Sequence, residues 1–588
     1  MNFKFRASSA RWNCSPYAFM QCKFLPVILG VALYLVIVAP AIVHSSSDYM
    51  VRMRDGARLA TDVYRMPLDP FRRPAIVIRT PYGKTDSIVR AAAAIMSSPS
   101  AGYIAVVQDV RGTGESEGTN EIFRTDGWGN AQDGYDTVEW VAAQSWCDGK
   151  VGMYGFSALG ISAYLAAGAR PPSLKCEVVC FAAADMYDQA AYQGGELRAE
   201  LIDGWVGAQN PAKLPELLDH SIRTSYWDIL DAEDREPQIK VPTLHIGGWY
   251  DCFLQGNLNH FAGLQSRGDV GARGNQKLIV GPWTHVNFTS RDQGELTYPS
   301  NSTSFDPVTK ALDWFDYWIK GDDNGIMDDP PVDYYVMGDV DRTTARGNVW
   351  RDSETWPPAS RERRLHLWGD RTLAAQPARG TVAMSETFIY DPANPVPTRG
   401  GANLEINAGP YDQRSVENRS DVLVYTSAQL TEPLEIAGRV RVELHASSSA
   451  VDTDWVAKLS DVYPDGRSML VCDGILQARC RDSTSSPTLM TPRTIYRFPI
   501  DLWSTSLCFD TGHRLRLTVS SSNSPRFEAN RNNGKRVRSG DPALAANNTV
   551  YHDTLRPSAL ILPMTWPATG EHPLFLSTTN ASNWRFYR

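Results

Sequence analysis

The sequence predicts an α/β core followed by an antiparallel β domain, and three observations carry that expectation. Short, wholly apolar runs recur between Asp48 and Val280, separated by Gly-, Pro- and Asp-rich turns and by helix-compatible stretches. Beyond a Pro/Trp-rich passage at Trp350 and Trp356-Pro357-Pro358, apolar and polar residues alternate instead. The chain is also 588 residues long, so a domain of about 250 residues plus a second, smaller unit is a better expectation than one core.

Taken in order, the chain opens with Lys4, Arg6, Arg11 and Lys23, then an almost continuously apolar run from Phe24 to Val43, closed by polar His44-Ser45-Ser46-Ser47. A basic start, an apolar stretch and Ala39-Pro40-Ala41 in the small-x-small pattern of a cleavage site predict an export signal over residues 1–47. At about 20 residues the run could also span a bilayer as a retained signal-anchor, or be a buried core helix, although Pro26 and Pro40 weaken a regular spanning helix. Signal or anchor, the body is expected to be secreted or extracytoplasmic, and membrane-attached only if the segment is retained.

Ala75-Ile76-Val77-Ile78 and the run from Tyr103 to Val107 suit strands buried on both faces, with helical spacing over Asp133 to Ala143 between successive strands. The pattern continues through Val151 to Tyr154, Cys176 to Phe181, Thr243 to Ile246 and Lys277 to Val280. From Met186 to Lys240 it breaks. Helix-like spacing and large side chains such as Trp205, Leu214, Leu217, Tyr226 and Trp227 predict a helical insertion over the sheet there. In the last part, Arg439 to Leu444 and His513 to Val519 alternate with period two, as half-buried strands of a β-sandwich do. The expected division is therefore 1–47, 48–185, 186–240, 241–350 and 361–588.

Lys and Arg number 58 against 66 Asp and Glu, a net charge of −8 without any dense basic block, which argues against a nucleic-acid partner. Hydrophobic residues at 43% and charged residues at 21% are ordinary globular usage and exclude a disordered chain or a disulfide miniprotein. Seven cysteines lie beyond the N-terminal segment, an odd number, so at least one lacks an intrachain partner. Cys472 and Cys480 flank Asp473-Gly474 in a hairpin-like stretch and are the best disulfide pair, whereas Cys176 and Cys180 share a strand face as packed thiols. Without a CxxC pair or a His-rich cluster, neither a metal site nor a cofactor is expected. Sequons at Asn287, Asn301, Asn418, Asn547 and Asn580 matter if the host is eukaryotic.

The sharpest local feature is Gly155-Phe156-Ser157-Ala158-Leu159-Gly160, directly after the strand ending at Tyr154 and before a helix-compatible run. A serine on a tight strand-to-helix turn has its hydroxyl raised above the sheet, and the helix behind it points free N–H groups at developing negative charge. Leu159 stands where the familiar Gly-x-Ser-x-Gly elbow has glycine, so an ordinary strand-end turn remains an alternative. A serine nucleophile needs a base, and the base needs an acid, in the chain order Ser, Asp or Glu, His. Asp251, in Gly247-Gly248-Trp249-Tyr250-Asp251, and His285, in Gly281-Pro282-Trp283-Thr284-His285, both stand just past apolar strands, where open α/β sheets place their sites. His245 lies inside a strand and His260 in a helix-like run, so His285 is the better base.

These three strings, in this order and before a β-rich C-terminal part, resemble the cocaine esterase and X-Pro dipeptidyl-peptidase family of serine hydrolases. Asp109 to Gly118, Asp391 to Thr398 and Trp314 to Trp318 are similar to family segments as well, so the resemblance runs from about Asp48 to near the C-terminus. It implies an α/β-hydrolase core with an inserted helical cap and a jelly-roll-like C-terminal β-sandwich. It further implies Ser157 as nucleophile, His285 as general base and acid, and Asp251 as its orienter. Tyr82, in Pro81-Tyr82, and the Ala158 N–H match the family's oxyanion donors; relatives often carry Tyr where this chain has Ala158. Phe253 matches an aromatic acyl-pocket position, with plain core packing as its alternative. The Asp109 to Gly114 loop lacks the Lys-Ser/Thr of a phosphate-binding loop and is expected to be structural.

The expected activity is hydrolysis of a small-molecule carboxylic ester or amide through an acyl-enzyme. An X-Pro aminopeptidase is the rival, for which Glu196, Glu200 and Asp203 could supply an anionic pocket or merely form a solvated face. Acyl transfer and a catalytically inactive binding protein are the remaining alternatives.

Overall fold

The computed structural model describes residues 45–566 apart from 67, 68, 286 and 379–383, together with His572 and Leu574. The N-terminal apolar segment and the Asn580 sequon lie outside these residues. Among the described residues no helix is long and apolar enough to cross a membrane.

The first half forms a ten-stranded sheet. Its strands are β1 (Ser45–Arg52), β2 (Arg58–Arg65), β3 (Arg73–Thr80), β4 (Ile104–Asp109), β5 (Cys147–Phe156), β6 (Leu174–Cys180), β7 (Thr243–Tyr250), β8 (Lys277–Thr284), β9 (Val332–Val336) and β10 (Val349–Ser353). They lie in the order β1-β2-β4-β3-β5-β6-β7-β8-β9-β10. From β4 to β9 every pairing is parallel; β1, β2 and β10 extend the sheet with antiparallel pairs. The central strands are covered on both faces, which is why β4, β7 and β8 are buried along their whole length and show no polar alternation. Helix α1 (Ser87–Met96) is capped by Asp86, whose carboxylate accepts the Ile88 and Val89 N–H groups. Helix α2 is Asp133–Ala142, and α3 (Ala158–Gly168) is buried at every position. An all-round apolar sequence is what a helix packed beneath other elements requires. Helix α4 is Leu254–Arg267.

Between β6 and β7 the chain leaves the sheet. It forms short helical turns, among them π-helical Tyr187–Ala191 and Ile202–Val206 and a helix at Leu214–Asp219, with a two-stranded ribbon of Tyr192–Gln193 and Glu196–Leu197. The longest helical stretch runs without a break from Ala199 to Gln209, α-helical at its ends and π-helical in its middle.

The C-terminal part is rich in sheet. Its strands are β11 (Arg361–Leu367), β12 (Thr372–Ala374), β13 (Ser385–Tyr390), β14 (Leu423–Ser427), β15 (Leu434–Ser448), β16 (Asp454–Val462), β17 (Ser468–Gln477), β18 (Tyr496–Phe509), β19 (Arg514–Ser520), β20 (Ala546–Tyr551) and β21 (Ala559–Trp566). They are hydrogen-bonded in the order β13-β20-β15-β21-β11-β12-β14-β19-β16-β17, with β18 along β15. One apolar cluster joins this part to the first sheet, combining Trp249, Leu254, Phe261 and Tyr335 with Leu365, Ile436 and Leu507. Backbone bonds reinforce it: Met337 N–H donates to Ser506 at 3.1 Å, and Cys508 N–H to Met337 at 2.8 Å.

The expected Cys472–Cys480 disulfide is not formed, and the seven cysteines among the described residues are free thiols. Cys472 lies within β17 and Cys480 beyond its end; the hairpin turn precedes β17, because β16 and β17 pair from Val462–Ser468 back to Asp454–Gln477. Extended chain advances about 3.3 Å per residue, which carries the two well past the ~7 Å Cα limit of a disulfide.

Candidate active site

Ser157 stands between β5 and α3 with φ 58° and ψ −126°, a backbone conformation unfavourable to any residue with a side chain. Its N–H is held by the Cys180 carbonyl at 2.9 Å. Two glycines make the turn sterically feasible. A Cβ on Gly155 would sit 2.3 Å from the Leu159 carbonyl oxygen, and one on Gly160 would be 2.9 Å from the Ala182 and Val179 side chains. The close approach of helix to strand therefore falls at Gly160, one residue later than in the familiar pattern, and Leu159 is accommodated.

Asp251 follows β7 and His285 follows β8, which are adjacent and parallel, so their C-terminal ends bring both side chains to Ser157. His285 Nε2 is 2.8 Å from Ser157 Oγ, and His285 Nδ1 is 2.6 Å from Asp251 Oδ1. All three residues are buried. The imidazole is boxed by Phe156, Phe253 and Phe181, with ring centroids at 5.3, 5.4 and 6.0 Å. Such an arrangement lets an imidazole take a hydroxyl proton while a carboxylate fixes its tautomer and balances the charge it acquires.

Tyr82 follows β3 and approaches from the other side. Its hydroxyl oxygen accepts the Trp205 indole N–H at 3.0 Å, and the hydroxyl lies near enough to Ser157 to be influenced by it. Burial pushes the phenol up to about 12, with Trp205 and Ser157 acting in the opposite direction. Ala158 is the first residue of α3, and first-turn N–H groups have no carbonyl of their own helix to bind.

An open cavity begins at Ser157 and Ala158; its space is about 700 Å³ with open solvent included. Its walls are mostly apolar, from Phe123, Leu201, Trp205, Trp227, Phe253 and Leu404 among others. The charged groups on it, Glu121 and Lys213, pair with each other. Phe253 is buried against His285 and also forms part of the cavity wall.

The acids considered for an anionic pocket are engaged elsewhere. Glu196 accepts from Leu197 N–H and from Gln477 Nε2 at 2.9 Å; Glu200 accepts the Leu404 and Glu405 N–H groups at 3.2 and 2.8 Å; Asp203 holds Arg538 at 2.7 Å. None of the three lines the cavity. Of the rival histidines, His245 is fully buried against the Tyr164 hydroxyl at 2.6 Å, and His260 faces Glu236 at 3.1 Å. Asp109 accepts the Lys84 and Glu115 N–H groups and so closes its own loop.

Asp251, Cys252 and His285 place possible metal-ligand atoms within 4.8 Å of one another. A cation there would have to displace the Nδ1 proton that the His285–Asp251 hydrogen bond requires. Sequence reasoning did not find Tyr82's partner or Leu404. Trp205 was visible only as one of several large side chains in the insertion, and Leu404 carries no local signal.

The family model for X-Pro dipeptidyl-peptidase (S15 family) matches residues 55–215 and 207–287, and that for the X-Pro dipeptidyl-peptidase C-terminal non-catalytic domain matches residues 324–561. The cocaine esterase of Rhodococcus sp. (strain MB1 Bresler) is 33% identical, covering 88% of this chain and 98% of that protein. A solved α-amino acid ester hydrolase is 26% identical with a TM-score of 0.76, covering 90% of this chain and 98% of its own. An aminopeptidase from a Thaumarchaeota archaeon shares the fold, with a TM-score of 0.77 at 24% identity over 90% of this chain and 98% of that one.

Proposed function

The chain belongs to the cocaine esterase and X-Pro dipeptidyl-peptidase family of serine hydrolases, and we propose that it cleaves carboxylic esters of apolar acids through an acyl-enzyme on Ser157. His285 Nε2 takes the Ser157 proton as Oγ attacks the ester carbonyl, and Asp251 stabilises the resulting imidazolium. The Tyr82 O–H and Ala158 N–H donate to the oxyanion. His285 then protonates the departing alcohol and activates a water that releases the acid. Removal of a single oxyanion donor of this kind costs about 10²–10³ in turnover.

The apolar cavity at Ser157 is the observation that favours an ester over an X-Pro peptide. A peptide amino terminus carries an ammonium group, and burying it without a counter-charge is costly. Among the described residues the carboxylate on the cavity is Glu121, and it is already paired with Lys213. The expected outcome is rapid hydrolysis of p-nitrophenyl butyrate and at least ~100-fold lower kcat/KM on Ala-Pro-p-nitroanilide, about 3 kcal/mol of discrimination. Comparable rates on the two would overturn the ester reading in favour of the peptidase. Product formed only with an added alcohol or amine acceptor would point to acyl transfer, and a Ser157 unlabelled by an organophosphonate would point to an inactive fold.

We also propose export. The basic, then apolar, then small-residue order of the N-terminal segment supports it. In a eukaryotic secretory host, Asn418 and Asn547 are exposed and suited to carry glycans, whereas Asn301 uses its amide on the Asn348 carbonyl and the Tyr335 hydroxyl. N-terminal sequencing and glycopeptide mapping of the secreted protein test both points.

A further inference from the structure

We infer that Trp205, a residue of the insertion, is a positioning residue for the oxyanion donor: its indole N–H fixes the direction of the Tyr82 hydroxyl proton. The inference rests on the assignment of Tyr82 as an oxyanion donor. It starts from donor chemistry. An indole N–H can only donate, so at 3.0 Å the Tyr82 oxygen must be the acceptor. A phenol has a single proton. With the indole N–H on its oxygen, that proton is kept free of Trp205 and is left for an acceptor in the site, near Ser157. Accepting a hydrogen bond also polarises the O–H, making it the stronger donor to an oxyanion.

The indole itself is held from three directions. Phe123 stacks on it, with ring centroids 5.3 Å apart and an interplanar angle of 5°. Phe123 keeps that position with φ 65°, a left-handed conformation that a bulky side chain adopts only when packing dictates it. Trp205 belongs to the π-helical turn Ile202–Val206, a form concentrated at functional sites. The preceding residue, Gly204, lies so close to Glu405 that a Cβ would come within 2.4 Å of its side chain. The Glu405 backbone is in turn tied to the insertion through Glu200 at 2.8 Å. A side chain that merely lined the cavity would not need its N–H aimed at a phenol oxygen.

Because Trp205 also lines the cavity, the test separates its ring from its N–H. Trp205 is replaced by phenylalanine and, by genetic incorporation, by 3-benzothienylalanine, which keeps the bicyclic shape and lacks the N–H. Turnover of p-nitrophenyl acetate and p-nitrophenyl butyrate is measured for each, alone and combined with Tyr82→Phe. Loss of one neutral hydrogen bond should lower kcat by about three- to tenfold. The loss should be equal for both esters with the benzothienyl replacement, with KM little changed, and should vanish in the Tyr82→Phe background. An effect confined to butyrate or to KM, or one undiminished in that background, would overturn the inference and leave Trp205 as cavity wall. Parental kcat in Tyr82→Phe alone would instead overturn the assignment of Tyr82.

Discussion

Ser157 is held in a conformation that costs about 1–3 kcal/mol for a non-glycine residue, and the surrounding contacts must maintain it. Ser157→Ala keeps those contacts, including the N–H bond to Cys180. Its thermal midpoint should stay within about 2 °C of the parent, since the change removes one hydroxyl and leaves the backbone bonds in place, and a small loss shifts a chain this size little. Its turnover of p-nitrophenyl butyrate should fall at least ~10³-fold, measured by initial rates. Gly160→Ala should behave differently. Its Cβ would press on Ala182 and Val179, and overpacking of this kind costs about 1–3 kcal/mol. Urea unfolding should show that loss together with reduced turnover; an unchanged midpoint would mean α3 can shift freely. Ser157, Asp251 and His285 were legible in the sequence because each directly follows an apolar strand of a parallel sheet, and strand ends are local signals. Trp205 and Leu404 were not, because what matters about them is contact with residues far away in the chain.

The loop around Leu404 shows how one element shapes another. Glu200, in the insertion, accepts the Leu404 and Glu405 N–H groups. Arg198, fully buried beside it, donates to the Gln189 and Cys252 carbonyls at 2.6 and 2.8 Å and stacks over Trp503 at 5.4 Å. The insertion thereby ties the residue after Asp251 to the C-terminal part of the chain. Glu200→Ala strands two N–H groups. It should cost about 2 kcal/mol of stability by urea unfolding and raise KM for butyrate more than for acetate, since Leu404 is part of the cavity wall. Equal KM changes for both esters would mean the loop does not set acyl fit. The same acid was a candidate for substrate binding in the sequence. Composition cannot tell a carboxylate facing a ligand from one capping a loop, because the difference is which backbone N–H groups the fold brings near.

Across the whole molecule, the insertion meets the C-terminal sheet at a buried acidic group. Burial raises Glu196, with Asp452 and Glu528 adding to the effect and the Leu197 N–H opposing it. Burial likewise raises Asp454, with Glu196 as its next cause. A carboxyl raised in this way binds more protons folded than unfolded, so stability is greatest at and below the ordinary carboxylate range of ~4.5. It declines as pH rises through the raised folded value and levels off above it. Glu196→Gln removes the share of that dependence that Glu196 carries. Between pH 5 and 8 the thermal midpoint of the parent should fall relative to the variant, and parallel curves would refute the linkage. The two sheets also share one apolar cluster. Residues 45–353 alone would expose its Trp249, Phe261 and Tyr335, so that fragment should be insoluble or bind a hydrophobic dye, whereas the full chain should not.

The amino-acid sequence by itself determined the α/β core, the sheet-rich C-terminal part, the break in pattern between β6 and β7, and the three residues at the strand ends. Those features follow from periodicity and turn chemistry, which act over a few neighbouring residues. The absence of the Cys472–Cys480 bridge, the shape of the cavity, the use of Glu200 as a clamp and the bond from Trp205 to Tyr82 were decided only by the tertiary structure. The bridge fails because the chain from Cys472 to Gln477 runs as one extended strand; the other three depend on distances between groups far apart in the chain, which only packing of the whole chain sets.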